Sequence, residues 1–281
     1  MSHVAIVTDS ASDLPPEAAI AQDITVVPLV VSFGSESFRP NIDLSTDAFW
    51  ARMTAPDAPF PTTAAAAPGD FLEAFKAAFE SGADAIVCVD VSGDLSGTIK
   101  AAYVARDMLK EREIYVIDSR TASMGTGQLA QMGAELAASG VAAAEIARVL
   151  EERKADVDLF VALDTLEYLK RGGRISGARA AVGTMLSIKP IITVIDGVVE
   201  NADRVRSRQK ARERVLELLT EKPLERAAIL HSTNADVEEF RARFLERSGL
   251  PESKVQTMLI GPSVGPHLGP GCIGAVIVRQ H

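Results

Sequence analysis

Nine short apolar runs, at residues 4–8, 25–33, 85–91, 113–117, 159–163, 188–195, 227–231, 255–260 and 273–278, recur along this chain. Several are unbroken Val/Ile stretches rather than alternating ones, the pattern of strands buried on both faces. Between them lie segments with apolar residues at helical spacing: 68–81, 96–111, 126–138, 142–153, 209–219 and 235–248. In the first of these Phe71, Leu72, Phe75 and Phe79 share one helical face. Strand and helix in alternation predict an α/β fold, with mostly parallel or mixed sheets flanked by helices. The length of 281 residues, 47% of them apolar, suffices for two such domains. The boundary is expected near residue 155, separating 1–155 from 156–281.

Charge and cysteine usage exclude several classes. The net charge is −9, whereas neutralising phosphates needs a basic face, so no nucleic-acid partner is expected. No apolar stretch approaches the ~18–20 residues that span a bilayer, so no stable membrane insertion is expected. A strand-like run begins within a few residues of Met1, and no signal peptide is anticipated; the reading is cytoplasmic. Cys88 and Cys272 are far apart and sit in or beside apolar runs, as small reduced core residues do. No Cys-x-x-Cys or His/Cys cluster points to a metal, and no cofactor is anticipated.

Three segments break the strand–helix rhythm. Residues 34–68 carry Pro40, Pro56, Pro59, Pro61 and Pro68, and residues 164–190 carry Gly172, Gly173, Gly177 and Gly183. Residues 261–272 hold four glycines and three prolines around one histidine, His267. Long irregular segments in compact domains are more often functional than idle. A loop this constrained fixes where its polar side chain points.

Each candidate motif has a chemical and a structural reading. Asp9-Ser10-Ala11-Ser12-Asp13 follows the first strand, where open α/β sheets bind ligands. Asp9 is a candidate nucleophile or metal ligand. The structural reading is that Asp9 and Ser10 bond turn amides while Ser12 or Asp13 caps a helix near Pro15. In Pro61-Thr62-Thr63 the hydroxyls suit a carboxylate, or a turn. The loop from Ser92 through Ser96 to Thr98 joins a strand to a helix N-terminus, a generic anion site. It lacks a Walker lysine, and Asp94 or Ser96 suits an N-cap there. Gly125-Thr126-Gly127 opens a helix but lies too far from its strand for a dinucleotide fingerprint. Lys170, Arg171, Arg174 and Arg179 form one basic cluster, and Arg204, Arg206, Arg208, Lys210 and Arg212 a second. Both suit a solvated face or the docking of a phosphate-bearing partner. His267 has no nucleophile elbow to serve and fits a neutral donor to a carboxylate.

Taken in order, these pieces resemble the DegV family, the fatty-acid-binding proteins of bacteria. The resemblance is carried by Thr8-Asp9-Ser10-Ala11-Ser12-Asp13, Pro61-Thr62-Thr63, Leu95-Ser96-Gly97-Thr98 and Asp118-Ser119. It continues through Arg171-Gly172-Gly173-Arg174-Ile175, Lys189-Pro190, Arg206-Ser207-Arg208 and the closing glycine–proline loop. It implies a long-chain fatty acid buried at or near the interface of two α/β domains, its carboxylate held by Thr62, Thr63, Ser92, Ser96 and His267. It also implies a non-catalytic subunit that presents the acid to a separate ATP-dependent fatty acid kinase subunit. The acyl phosphate formed there would feed phospholipid synthesis, with Arg174 and Arg206 docking the kinase or steadying the phosphate. The chain departs from the common family pattern at Ala64, Gly93 and Leu268. The alternative is a phosphotransferase or hydrolase that uses Asp9 and His267 on a small anion.

Overall fold

The computed structural model describes residues 3–175, 188–232 and 236–281. Its first half runs β1 (Val4–Asp9), α1 (Pro16–Ala21), β2 (Ile24–Val27), β3 (Val30–Phe33), β4 (Glu36–Phe38), α2 (Thr46–Met53) and β5 (Thr62–Ala64). It continues with α3 (Pro68–Glu80), β6 (Ala85–Asp90), α4 (Thr98–Asp107), β7 (Glu113–Asp118), α5 (Met124–Ala138) and α6 (Ala143–Arg153). The second half runs β8 (Val157–Ala162), α7 (Glu167–Arg171), β9 (Lys189–Ile195), β10 (Val198–Val205), α8 (Arg208–Leu219) and β11 (Leu224–His231). It ends with α9 (Val237–Ser248), β12 (Val255–Leu259), α10 (Gly265–Leu268) and β13 (Ile273–Arg279).

β1, β2, β6 and β7 form a parallel sheet in the order β2-β1-β6-β7. Every residue of β6 is buried, as its unbroken apolar run requires. The expected strand at 25–33 is two strands. Pro28 carries no N–H to donate to a ladder and separates them. β2 stays in the parallel sheet, while β3 joins a small antiparallel one of order β4-β3-β5.

The second large sheet is mixed, in the order β10-β9-β8-β13-β11-β12. Only β11 and β12 pair in parallel; the other neighbours are antiparallel. β9 and β10 form a hairpin whose turn, Asp196-Gly197, holds φ at 49° and 83°, the left-handed pair that a two-residue turn needs. Both faces of this sheet are covered. On β13, Val276 and Val278 face a core shared with β1, β6 and α5, while Ile273, Ala275 and Ile277 face α8 and α9. Alternate residues of a strand point to opposite faces. An unbroken apolar run is therefore the expected sequence for a middle strand of three layers. Among the described residues no helix is long and apolar enough to cross a membrane.

Candidate functional site

A cavity lies where the loops after β1 and β6 meet β8, the β9–β10 hairpin and the closing loop around α10. The space there unfilled by atoms, its solvent-open mouth included, is about 670 Å³, and the interior open to water-sized spheres is about 80 Å³. Most of its wall is apolar, with Leu29, Leu95, Leu159, Ile192, Val194 and Val199 from both halves of the chain. Thr63, Ser96, Ser123, Arg174, Ser263 and His267 supply its polar groups.

His267 sits in α10, held by close approaches that only glycines permit. A methyl at Gly265 would lie 2.5 Å from the Phe49 ring, and one at Gly172 would overlap the His267 imidazole. Gly269, at φ 75°, leaves its side-chain space to the Tyr168 ring. The imidazole Nε2 hydrogen-bonds Thr63 Oγ1 at 3.0 Å, across 204 positions of sequence. Nδ1 is buried with no hydrogen-bond partner among the described residues. Burial first, and then the nearby Arg174 charge, pushes the His267 pKa down to about 4. The ring is therefore neutral at physiological pH.

The two threonines part company. In β5, Thr63 pairs with Val31 and lines the cavity, while Thr62 pairs with Ser32 and is exposed. Strand alternation sends adjacent side chains to opposite faces, so of the two only Thr63 reaches the cavity. The resemblance implies both on the carboxylate; of the two, Thr63 alone lines the cavity. The serines divide likewise. Ser96 lines the wall, its Oγ 2.8 Å from Thr98 Oγ1 and accepting the Thr98 N–H at 3.2 Å. Ser92 is fully buried, does not line the cavity, and donates its hydroxyl to the Gly197 carbonyl at 2.8 Å. It ties the β6 loop to the β9–β10 turn. Neither Asp94 nor Ser96 is the N-cap of α4, which is Gly97 without a side-chain bond; Asp94 pairs with Arg120 at 2.5 Å instead.

Arg174 also reaches the cavity. Its Nε donates to the Leu95 carbonyl at 3.0 Å and its Nη1 to the Gly172 carbonyl at 2.6 Å. No ion pair to Arg174 is found among the described residues. Arg206 is exposed and does not line the cavity. Neighbours in its cluster are committed elsewhere: Arg208 to Asp164, which Lys189 also pairs with, and Arg212 to Asp236. Arg179, Gly177 and Gly183 lie outside the described residues.

Asp9 does not line the cavity and is not the partner of His267. Its carboxylate accepts the N–H of Ala11 at 2.7 Å and of Val91 at 2.8 Å, the structural role open to it in the sequence. Burial raises its pKa to about 6. Neither Ser12 nor Asp13 caps α1, whose N-cap is Pro15 without a side-chain bond. Asp13 makes long-range bonds instead, accepting Gly261 N–H at 3.0 Å and Ser123 Oγ–H at 2.6 Å. Burial raises its pKa to about 7. Ser10 Oγ lies 2.8 Å from Ser263 Oγ, and Trp50 Nε1 donates to the Ile260 carbonyl at 2.7 Å. Sequence reasoning missed Ser123, Ser263 and Trp50, because their partners stand more than 100 positions away and leave no local signal. Gly125 and Gly127 have a packing cause: methyls there would meet Thr121 Oγ1 at 2.5 Å and the Ser12 carbonyl at 2.8 Å. Gly127 lets α5 press against the β1 loop, and Gly125 makes room for Thr121 at the start of the helix.

The fold and cavity define an α/β protein with a mainly apolar cavity that carries polar groups on part of its wall. The chain belongs to the DegV family: the family model, described as "Uncharacterised protein, DegV family", matches residues 3–280. A DegV domain-containing protein of Listeria innocua is 33% identical over 275 residues, covering 96% of each chain. Among solved structures, the fatty-acid-binding DegV family protein of Thermus thermophilus is 33% identical with a TM-score of 0.91, over 99% of this chain and 100% of that one. DegV of Bacillus subtilis, described as a fatty acid binding protein, is 30% identical with a TM-score of 0.86 over 100% of both chains.

Proposed function

We propose that this protein binds one long-chain fatty acid in the cavity, with the carboxylate at Thr63, His267, Ser96 and Arg174. The observation that carries this reading is the Thr63–His267 hydrogen bond at the polar part of an otherwise apolar wall. Each methylene buried among the leucines and valines contributes ~0.8 kcal/mol. An ionised carboxylate is costly to bury unless donors meet it. With the proton on Nε2, the imidazole donates to Thr63 Oγ1 and leaves the Thr63 hydroxyl proton for the ligand. Arg174 supplies the compensating charge. Ser92, its hydroxyl engaged by Gly197, supports the loop rather than touching the ligand. The relatives solved as fatty-acid-binding proteins favour the same assignment.

The further reading is of a cytoplasmic, non-catalytic carrier. Residues 1–155 and 156–281 form two domains that close on the acid, and an ATP-dependent fatty acid kinase subunit docks beside it. That partner transfers the γ-phosphoryl group of ATP to a carboxylate oxygen, giving acyl phosphate and ADP. Arg206, exposed among Arg204 and Lys210 on an acidic protein, supplies a basic contact for the partner, and Arg174 steadies the phosphate. The test is calorimetric titration with palmitate and oleate, followed by incubation with ATP and a kinase subunit. Micromolar or tighter binding with kinase-dependent acyl phosphate supports the reading. No binding of either acid sinks it, and turnover without the kinase subunit sinks the carrier role.

A further inference from the structure

Beside the elements that carry Leu169 and His267 stands a stack of side chains that the reading above does not use. The Phe60 and Tyr168 rings are stacked, their centroids 5.9 Å apart at 25°. The Arg171 guanidinium lies 3.8 Å from the Phe60 centroid. Phe60 precedes Thr63 by one strand turn of chain, and Tyr168 belongs to α7, whose Leu169 lines the cavity. The Tyr168 ring fills the space that a side chain at Gly269 would need, two residues beyond His267. The turn that ends α7, closed by Gly172 N–H donating to the Tyr168 carbonyl at 2.8 Å, lays Gly172 against the imidazole. α7 and α10 thus interlock through two glycines, and one aromatic ring plugs the joint.

We infer that Tyr168 is a positioning residue for His267: clasped between Phe60 and Gly269, it locks α7 onto α10, keeps water from the imidazole and holds Nε2 on Thr63. The inference rests on the carboxylate-binding role proposed for His267. A buried Nδ1 without a partner among the described residues carries a desolvation cost that an entering water would relieve, so the ring stays dry only behind a wall that water cannot part. Here Gly172 closes against that edge of the ring, and the Tyr168 ring, packed into the space beside Gly269, docks the turn that carries Gly172 onto the end of α10. The charge acting on the imidazole is that of Arg174; Glu167 and Lys170, the other charged residues of α7 besides Arg171, are exposed. A dry ring beside a fixed cation stays neutral, in accord with its low pKa.

The experiment is an NMR titration of the His267 ring in ligand-free protein, with palmitate affinity measured alongside at pH 7. The variants are Tyr168→Ala, Tyr168→Phe and Phe60→Ala. In wild type the ring is expected to titrate well below its ordinary 6.5, at about 4. In Tyr168→Ala it rises toward the ordinary 6.5, and palmitate binds about tenfold more weakly, the scale of one lost aromatic pair. Tyr168→Phe keeps the stack and restores both wild-type readings. If Tyr168→Ala does not fold, Phe60→Ala removes the same stack from the other side and shows the same rise. A His267 titration unmoved in every folded alanine variant overturns the inference. Failure of the wild-type protein to bind palmitate would instead sink the fatty-acid reading, while the titration still decides the role of Tyr168.

Discussion

Asp13 Oδ1 accepts the Gly261 N–H at 3.0 Å, joining the first loop of the chain to its last across 248 positions. The other oxygen takes the Ser123 hydroxyl at 2.6 Å, so one buried carboxyl braces the cavity wall and the loop that carries His267. Asp13→Ala leaves the Gly261 N–H buried and unpaired, and is expected to cost ~1–3 kcal/mol in urea unfolding. Asp13→Asn keeps both bonds, with its amide donating to Ser123 Oγ, and is expected to stay closer to wild type at pH 7.

The two kinds of shifted group pull stability in opposite directions with pH. Burial raises Asp13 from 3.8 to about 7, so its contribution is full below 3.8 and is lost as pH rises through about 7. Asp13→Asn should therefore gain on wild type between pH 5 and pH 8. His267 is lowered from 6.5 to about 4. The unfolded chain takes that proton first, so the His267 contribution is full above 6.5 and falls away toward pH 4, by up to ~3 kcal/mol. His267→Asn should flatten that acid limb. Denaturant midpoints at half-unit steps of pH check both, and equal slopes for variant and wild type would contradict them.

Adjacent threonines should behave as opposites. Thr63→Ala and His267→Ala each remove a member of the hydrogen-bonded pair, and each is expected to weaken palmitate binding by ~10–100-fold. The double variant should lose less than the product of the two, because the residues act as a unit. Thr62→Ala, on the exposed face of β5, should bind as wild type does. Calorimetry on the four variants decides, and a Thr62→Ala loss equal to that of Thr63→Ala would overturn the alternation argument.

The basic residues should separate binding from transfer. Arg174→Ala is expected to weaken palmitate binding, since the guanidinium lines the cavity without a carboxylate partner of its own among the described residues. Arg206→Ala should leave affinity unchanged and slow acyl phosphate formation by a kinase subunit. Unchanged phosphorylation by Arg206→Ala would remove it from the docking surface.

The long buried strands were legible because burial on both faces writes an unbroken apolar run. β6 and β13 match their expected ranges to within one residue at each end. β10 was not legible. It is an edge strand in which Glu200, Asn201, Asp203 and Arg204 break the apolar run, so its sequence reads as loop. α7 and α10 span five and four residues, too short for a helical period to show. At the site, His267 stood out through its glycines and prolines, which the close approaches to Phe49 and Tyr168 explain. Choosing between Thr62 and Thr63 needed the register of β5 on β3, and separating Ser96 from Ser92 needed the β9–β10 turn. Both are pairings between distant segments, which local pattern does not encode.

The most direct test of a fatty acid held in the cavity is native mass spectrometry of the protein freshly purified from a bacterial host, followed by lipid extraction. A mass excess equal to one long-chain fatty acid, lost in the Thr63→Ala/His267→Ala double variant, is the predicted result. A ligand-free mass that stays unchanged after incubation with palmitate and oleate would contradict the account.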